Sequence, residues 1–172
     1  MHVQVDSSQM VQAMRTPQHV YGLRRLTPDD APALTGLFAD HQWWATRTQS
    51  EVEAALVGSD LAMGVECDAE FIGSARVLTD YTFIAIIVDV IVTEAHRRNG
   101  HGSRLVSAIV SYNAIDDVRY VSVTCRRGIR DFYAYLGFRE VGPTVDPPDG
   151  SEKLLRMTFE RQMQRGNTER IH

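Results

Sequence analysis

The chain has few cysteines, no lysine-bearing phosphate loop and no long apolar run, and each lack removes a class of function. Its two cysteines, Cys67 and Cys125, lack C-x-x-C spacing, so neither a disulfide framework nor a paired-thiol redox site is indicated, and a reducing cytoplasm is the expected setting. Six histidines are scattered with no His/Cys/carboxylate group at ligand spacing, so no metal site is expected. The longest apolar run, Phe83 to Val88, is far too short to span a bilayer, and the N-terminus shows no basic-then-apolar signal pattern; no membrane partner is expected. A net charge of −4 argues against nucleic acid as a partner. No internal repeat and no low-complexity segment stands out.

What is present is one domain's worth of ordinary globular chain: 172 residues, 44% hydrophobic and 23% charged. Residues 1–18 have weak periodicity and read as an N-terminal extension, 19–160 as the domain, and 161–172 as a polar tail. Within the domain, Val20–Leu26 alternates as a strand. Thr27-Pro-Asp-Asp starts a helix through Ala39, and Gln49–Val57 forms another, with Ser50 as N-cap and Gly58 as stop. Strands are expected at Leu61–Glu66, Phe71–Leu78 and Thr82–Val92, the last apolar enough for a central strand covered on both faces. A helix from Gly102 to Asn113, a strand at Tyr120–Cys125, a short helix at Ile129–Leu136 ended by Gly137, and strands from Arg139 and at Lys153–Phe159 complete the order, with Pro147–Gly150 as a loop.

The stretch Val88-Asp-Val-Ile-Val-Thr-Glu-Ala-His-Arg-Arg-Asn-Gly-His-Gly-Ser-Arg-Leu105 reads as strand, glycine-rich turn and helix. Glycines admit backbone N–H groups to a common point, and a helix N-terminus adds unpaired donors and partial positive charge there, which suits phosphate. The spacing is not that of G-x-x-x-x-G-K-[ST], nor of G-x-G-x-x-G, since position 105 is Leu. Arg97, Arg98, Arg104, Arg126, Arg127 and Arg130 concentrate positive charge in an otherwise acidic chain, as a polyanionic ligand requires.

Arg97-Arg-Asn-Gly-His-Gly102 fits Arg-x-x-Gly-x-Gly, and Phe132-Tyr-Ala-Tyr-Leu-Gly-Phe138 follows at a second position. On these two motifs the chain resembles the GNAT superfamily of acetyl-CoA-dependent N-acetyltransferases, from about Tyr21 to Phe159. The resemblance implies an α/β (α+β) fold, a mixed central sheet of six to seven strands flanked by about four helices. It implies that Val90, Ile91 and Val92 hold pantetheine through their main chain. Arg97, Arg98, Asn99, Gly100, His101, Gly102 and Ser103 would hold the pyrophosphate. Arg126 stands where relatives often have an Asn that contacts the cofactor, and Arg98 where they often have Gly. Tyr133 occupies the general-acid position, and an unperturbed phenol, titrating near ~10, suits giving a proton to a leaving thiolate.

The base is left open between residues. Asp89 is a charge inside an apolar strand, where it either takes the amine's proton or attracts a cationic substrate, or else partners Arg76. His41 and His96 are weaker candidates, and Tyr135 reads as structural. For the acceptor pocket the resemblance points to His41, Trp43, Trp44 and Tyr81, with one tryptophan in the core and the other a pocket wall. The expected activity is acetyl transfer to a primary amine, with a small-molecule acceptor favoured over a protein N-terminus or lysine. The alternative is a non-catalytic acyl-CoA-binding module. A homodimer is compatible with such proteins, though no exposed stripe identifies an interface.

Overall fold

A computed structural model of the protein describes residues 19–146 and 152–161. The expected extension at 1–18, the Pro147–Gly150 loop and residues 162–172 of the expected tail lie outside the described residues. The elements run β1 Tyr21–Arg25, α1 Ala31–Ala39 behind a 3-10 turn at Pro28–Asp30, α2 Gln49–Val57, β2 Leu61–Cys67, β3 Glu70–Thr79 and β4 Ile84–Val92. Then follow α3 His101–Val110, β5 Tyr120–Arg126, α4 Arg130–Tyr135, β6 Arg139–Glu140 and β7 Leu154–Glu160. The order of strands and α-helices is the one the sequence pattern predicts.

One seven-stranded sheet, ordered β1-β2-β3-β4-β5-β7-β6, carries these elements. Only β4 and β5 pair in parallel, which requires the long crossover that α3 supplies. Side chains alternate between the two faces of a strand. Leu61, Met63 and Val65 of β2 therefore join the cluster under α3 (Leu105, Val106, Ile109), while Ala62 joins the cluster under α1 and α2 (Leu34, Phe38, Val52, Leu56). Among the described residues no helix is long and apolar enough to cross a membrane.

Strand β4 breaks this alternation. Ala85 and Ile87 face α3, but Ile91, of the same parity, lies in the α1–α2 cluster. The cause is a β-bulge: Arg76 pairs with Val88 and Ser74 with Ile91, and the intervening Asp89 adopts φ +52°. Asp89 and Val90 thus do not simply point to opposite faces, as regular alternation would have it. Nor is β4 covered on both faces throughout. Ile84 and Ile86 at its start, with Phe83 before them and Leu78 across on β3, are exposed, because of β4 only Ile91 reaches the α1–α2 cluster.

Two local details differ from the sequence reading. The N-cap of α2 is Thr48, not Ser50: Thr48 accepts from Glu51 N–H, and the Glu51 carboxylate accepts from Thr48 N–H at 2.7 Å, a capping box. In β3, a Cβ at Gly73 would stand 2.7 Å from the Ile91 carbonyl oxygen, so this residue sets how closely β3 approaches the second half of β4. Gly73→Ala must displace that backbone and should destabilise the fold by about 1–3 kcal/mol, as overpacking does, measurable by urea unfolding.

Candidate active site

Strands β4 and β5 pair only from Ile84–Ile87 against Tyr120–Val123. Beyond that point they part, and a cleft of about 550 Å³ opens between them. Its walls are Ile87–Val92 of β4, Val123–Arg126 of β5, the α1–α2 linker from Asp40 to Trp44, and Tyr133 of α4, with Glu94, Arg97, Ile129 and Leu154. The bulge at Asp89 coincides with the parting, so the break in β4 turns its later backbone away from β5.

Asp89 lies on this wall, with its carboxylate held by two guanidinium groups. One oxygen accepts from Arg47 at 2.8 Å and from Arg76 at 2.9 and 2.6 Å; the other accepts from Arg47 at 3.0 Å. Burial would raise this carboxyl's pKa, but the two guanidinium groups outweigh it and the net shift is downward. Arg76 is fixed in turn by donating to the Ala55 carbonyl and Ser59 hydroxyl of the α2 end. Arg47 lies over the Phe38 and Trp44 rings. The cluster therefore ties α2 and the α1–α2 linker to the bulge, and it borders a second cavity of about 330 Å³ that Arg47, Arg76, Phe38 and Glu51 help line.

Tyr133 is buried, 2% exposed, packed edge-on against Phe132 and Phe138. Burial, with Cys125 beside it, raises its phenol, so it stays protonated across the working pH range. Cys125, also on the cleft wall, is raised by burial to about 11 and is no nucleophile. His41 is held below its ordinary value, first by burial and then by Arg97, whose guanidinium lies 3.4 Å from Nδ1, against the opposing pull of Asp40 and Glu94. The Arg97 Nε donates to the Val92 carbonyl at 2.9 Å.

The two glycines of the turn differ in backbone conformation. Gly100 is the N-cap of α3 at φ +79°. Gly102 has helical backbone, and a Cβ there would make ordinary contact with the Phe132 ring at 3.4 Å. Arg98 takes φ +62°, a left-handed conformation that accounts for glycine being common at this position in the resembled family. Asn99 is exposed and Ser103 half-buried at the start of α3, while the His101 ring turns away from the turn to pack on Tyr21, 4.5 Å between centroids.

Of the acceptor candidates, His41, Trp43 and Trp44 line the cleft. Trp44 packs on Phe38 at the edge of the core, and the exposed Trp43 is the wall. Arg126 does not reach toward the turn but stacks on Trp43, 3.8 Å from the ring centroid. Tyr81 is not part of the cleft: it sits in the β3–β4 turn at φ +57°, near Asp60, whereas the cleft flanks the other end of β4. His96 bonds Thr93 within its own turn, and Tyr135 is exposed. Arg47 carried no sequence signal, since its partner lies 42 residues away.

Residues 59–140 match the acetyltransferase (GNAT) domain family. No curated protein matches the chain. Solved structures do, at low identity. The ribosomal-protein-S18-alanine N-acetyltransferase of Escherichia coli is 17% identical, with 86% of this chain and 98% of that one covered at a TM-score of 0.73. The diaminobutyrate acetyltransferase of Paenibacillus lautus, solved with its substrate and coenzyme A, is 14% identical, covering 85% and 99% at 0.66. A GNAT-family acetyltransferase from Streptococcus pneumoniae is 16% identical, covering 82% and 99% at 0.69.

Removing the Asp89 charge leaves two guanidinium groups uncompensated. Asp89→Asn should destabilise the protein by about 3 kcal/mol, the lower end for a buried pair because Arg47 is partly solvated. The carboxyl's folded pKa is depressed, so its contribution is complete above the unfolded value of ~4 and is lost as pH falls through the lower folded value. Urea unfolding between pH 2 and 7 should show that acid loss in the wild type and a shallower one in Asp89→Asn.

Proposed function

We propose that this chain, whose residues 59–140 match the acetyltransferase (GNAT) domain family, moves the acetyl group of acetyl-CoA to the primary amine of a small molecule, by direct attack in a ternary complex. The observation that carries the reading is the parting of β4 from β5 beyond Ile87, with the buried Tyr133 phenol on the wall of the opening. Pantetheine lies along β4, using main-chain groups of Val90, Ile91 and Val92 as an added strand would. The pyrophosphate sits against the N–H groups of Arg97–Ser103 at the start of α3, in the field of the helix terminus. The Arg97 side chain now occupies the Val92 carbonyl. Its transfer to the pyrophosphate frees that carbonyl and removes part of the charge that holds His41 neutral.

The amine nitrogen attacks the thioester carbonyl, a tetrahedral oxyanion forms, and the C–S bond breaks as Tyr133 gives its proton to the departing thiolate. Burial keeps the phenol protonated and so available as a donor, and a thiolate that forms in the same water-poor setting is itself made more basic by desolvation. Asp89 is not the base in this reading: its lone pairs accept four bonds from two arginines and its pKa is lowered. Its role is to hold the bulge. His41, neutral and on the cleft wall between Asp40 and Glu94, receives the amine's proton directly or through water, and those two carboxylates draw the cationic acceptor in. Support for a small acceptor comes from the Trp43–Arg126 stack, which joins the α1–α2 linker to β5 and narrows the approach an extended peptide needs. The fold itself does not choose, since relatives acting on a protein alanine and on diaminobutyrate superpose about equally well.

Thiol release from acetyl-CoA against a panel of amines tests the reaction. Tyr133→Phe should lower kcat about 100-fold with cofactor affinity nearly unchanged; unaltered turnover would remove Tyr133 from the acid role. For His41, the base must be unprotonated, so activity rises with pH through its pKa. That limb should lie below the ordinary ~6.5 and be missing from a much slower His41→Gln enzyme.

A further inference from the structure

Away from the cleft, at the far end of β1 and β2, three side chains scattered in sequence meet. His19 Nδ1, Cys67 Sγ and an Asp68 carboxylate oxygen all lie within 4.8 Å of one another, the one group of three or more such side chains able to hold a metal ion among the described residues. Cross-strand register brings them together: Tyr21 pairs with Cys67, which sets the lead-in to β1 beside the two-residue turn between β2 and β3. Asp68 is locked there by its backbone. Its N–H donates to the Val20 carbonyl at 2.9 Å, and one carboxylate oxygen accepts from Val20 N–H at 3.0 Å. The other oxygen faces the remaining two groups, 2.6 Å from His19 Nδ1 and 3.9 Å from Cys67 Sγ.

We propose that His19, Cys67 and Asp68 bind a divalent transition metal, zinc by choice, as a clip between the start of β1 and the β2–β3 turn. Tetrahedral zinc bonds of ~2.0 Å to nitrogen and oxygen and ~2.3 Å to sulfur put the ligand atoms roughly 3.3–3.5 Å apart, so the three need shift by less than about 1 Å. One thiolate, one carboxylate and a neutral imidazole balance the dication, and the sulfur favours zinc over magnesium or calcium. His19 and Asp68 side chains are half exposed, leaving a way in for the ion and a fourth position for water. The Val20 N–H to the second Asp68 oxygen is the outer bond that orients a ligating carboxylate. Tyr21, next to the clip, packs on His101 at the start of α3, so the ion braces the strand that abuts the glycine-rich turn.

The test uses the full chain, tag-free and stripped of metal, titrated with Co²⁺. The expected result is one equivalent bound with a thiolate-to-cobalt charge-transfer band, displaced by Zn²⁺, and a Zn²⁺-induced rise in melting temperature. Both signals should persist in Cys125→Ser and disappear in Cys67→Ser and in Asp68→Asn. His19→Ala changes only a half-exposed side chain ahead of β1, so it reports even if Cys67→Ser folds poorly; it should lose at least tenfold in affinity. Absence of the thiolate band, or equal binding by wild type and His19→Ala, overturns the site and leaves an ordinary His19–Asp68 ion pair beside a buried thiol.

Discussion

The active-site region depends on one carboxylate held by two arginines. Asp89 stands at φ +52° in the middle of an apolar strand, a conformation that a non-glycine residue keeps only when its surroundings enforce it. Arg76 from the neighbouring strand and Arg47 from the α1–α2 linker enforce it with four hydrogen bonds. The bulge they fix reverses the facing of β4, so that Ile87 serves one side of the sheet and Ile91 the other. It also coincides with the point where β4 leaves β5. The cleft, the backbone that lines it and the position of the linker above it thus share one electrostatic origin.

The same cluster explains how a charge can sit in the wall of the cleft and, in the proposed mechanism, take no part in proton transfer. A carboxylate beside an acceptor amine looks like a base until its lone pairs are counted. Here two guanidinium groups hold the carboxylate with four hydrogen bonds and lower its pKa, and in the proposed mechanism the groups that handle protons are the buried phenol of Tyr133 and the imidazole of His41. Burial moves the two in opposite directions: it raises the phenol, which keeps its proton, and lowers the imidazole, which stays free to accept one. Arg97 touches both the Val92 carbonyl and His41, so in the proposed complex it links the pyrophosphate turn to the acceptor side.

Much of the fold was legible in the sequence because local rules produced it. Alternation of β-branched residues marked the strands, Thr27-Pro28 and Gly58 bounded helices, and Gly100 stood where a left-handed N-cap demanded it. What stayed hidden was set by partners distant in the chain. The run Ile84–Val92 is apolar except for Asp89, and that charge alone does not mark a bulge; Arg47 and Arg76, which hold it, lie elsewhere in the chain. Tyr81 was expected in the acceptor pocket, but the β3–β4 turn that carries it lies at the opposite end of β4 from the cleft, which only the three-dimensional course of the strand reveals. His19 and the Cys67-Asp68 pair are separated by nearly fifty residues and meet only through β-register. Thr48 was a different kind of miss, since Thr-x-x-Glu before Val52 is a readable capping box.

The central claim is that the opening between β4 and β5 is the seat of acetyl-CoA. Isothermal titration of acetyl-CoA into the wild type and into Gly100→Val measures this most directly. A valine cannot keep the +79° backbone of Gly100 without strain, so it disturbs the turn at the N-terminus of α3 while leaving the walls of the cleft in place. The account predicts one molecule bound per chain in the wild type, competed by coenzyme A, and affinity reduced at least tenfold in the folded variant. No binding by the wild type, or equal binding by the two proteins, would contradict it.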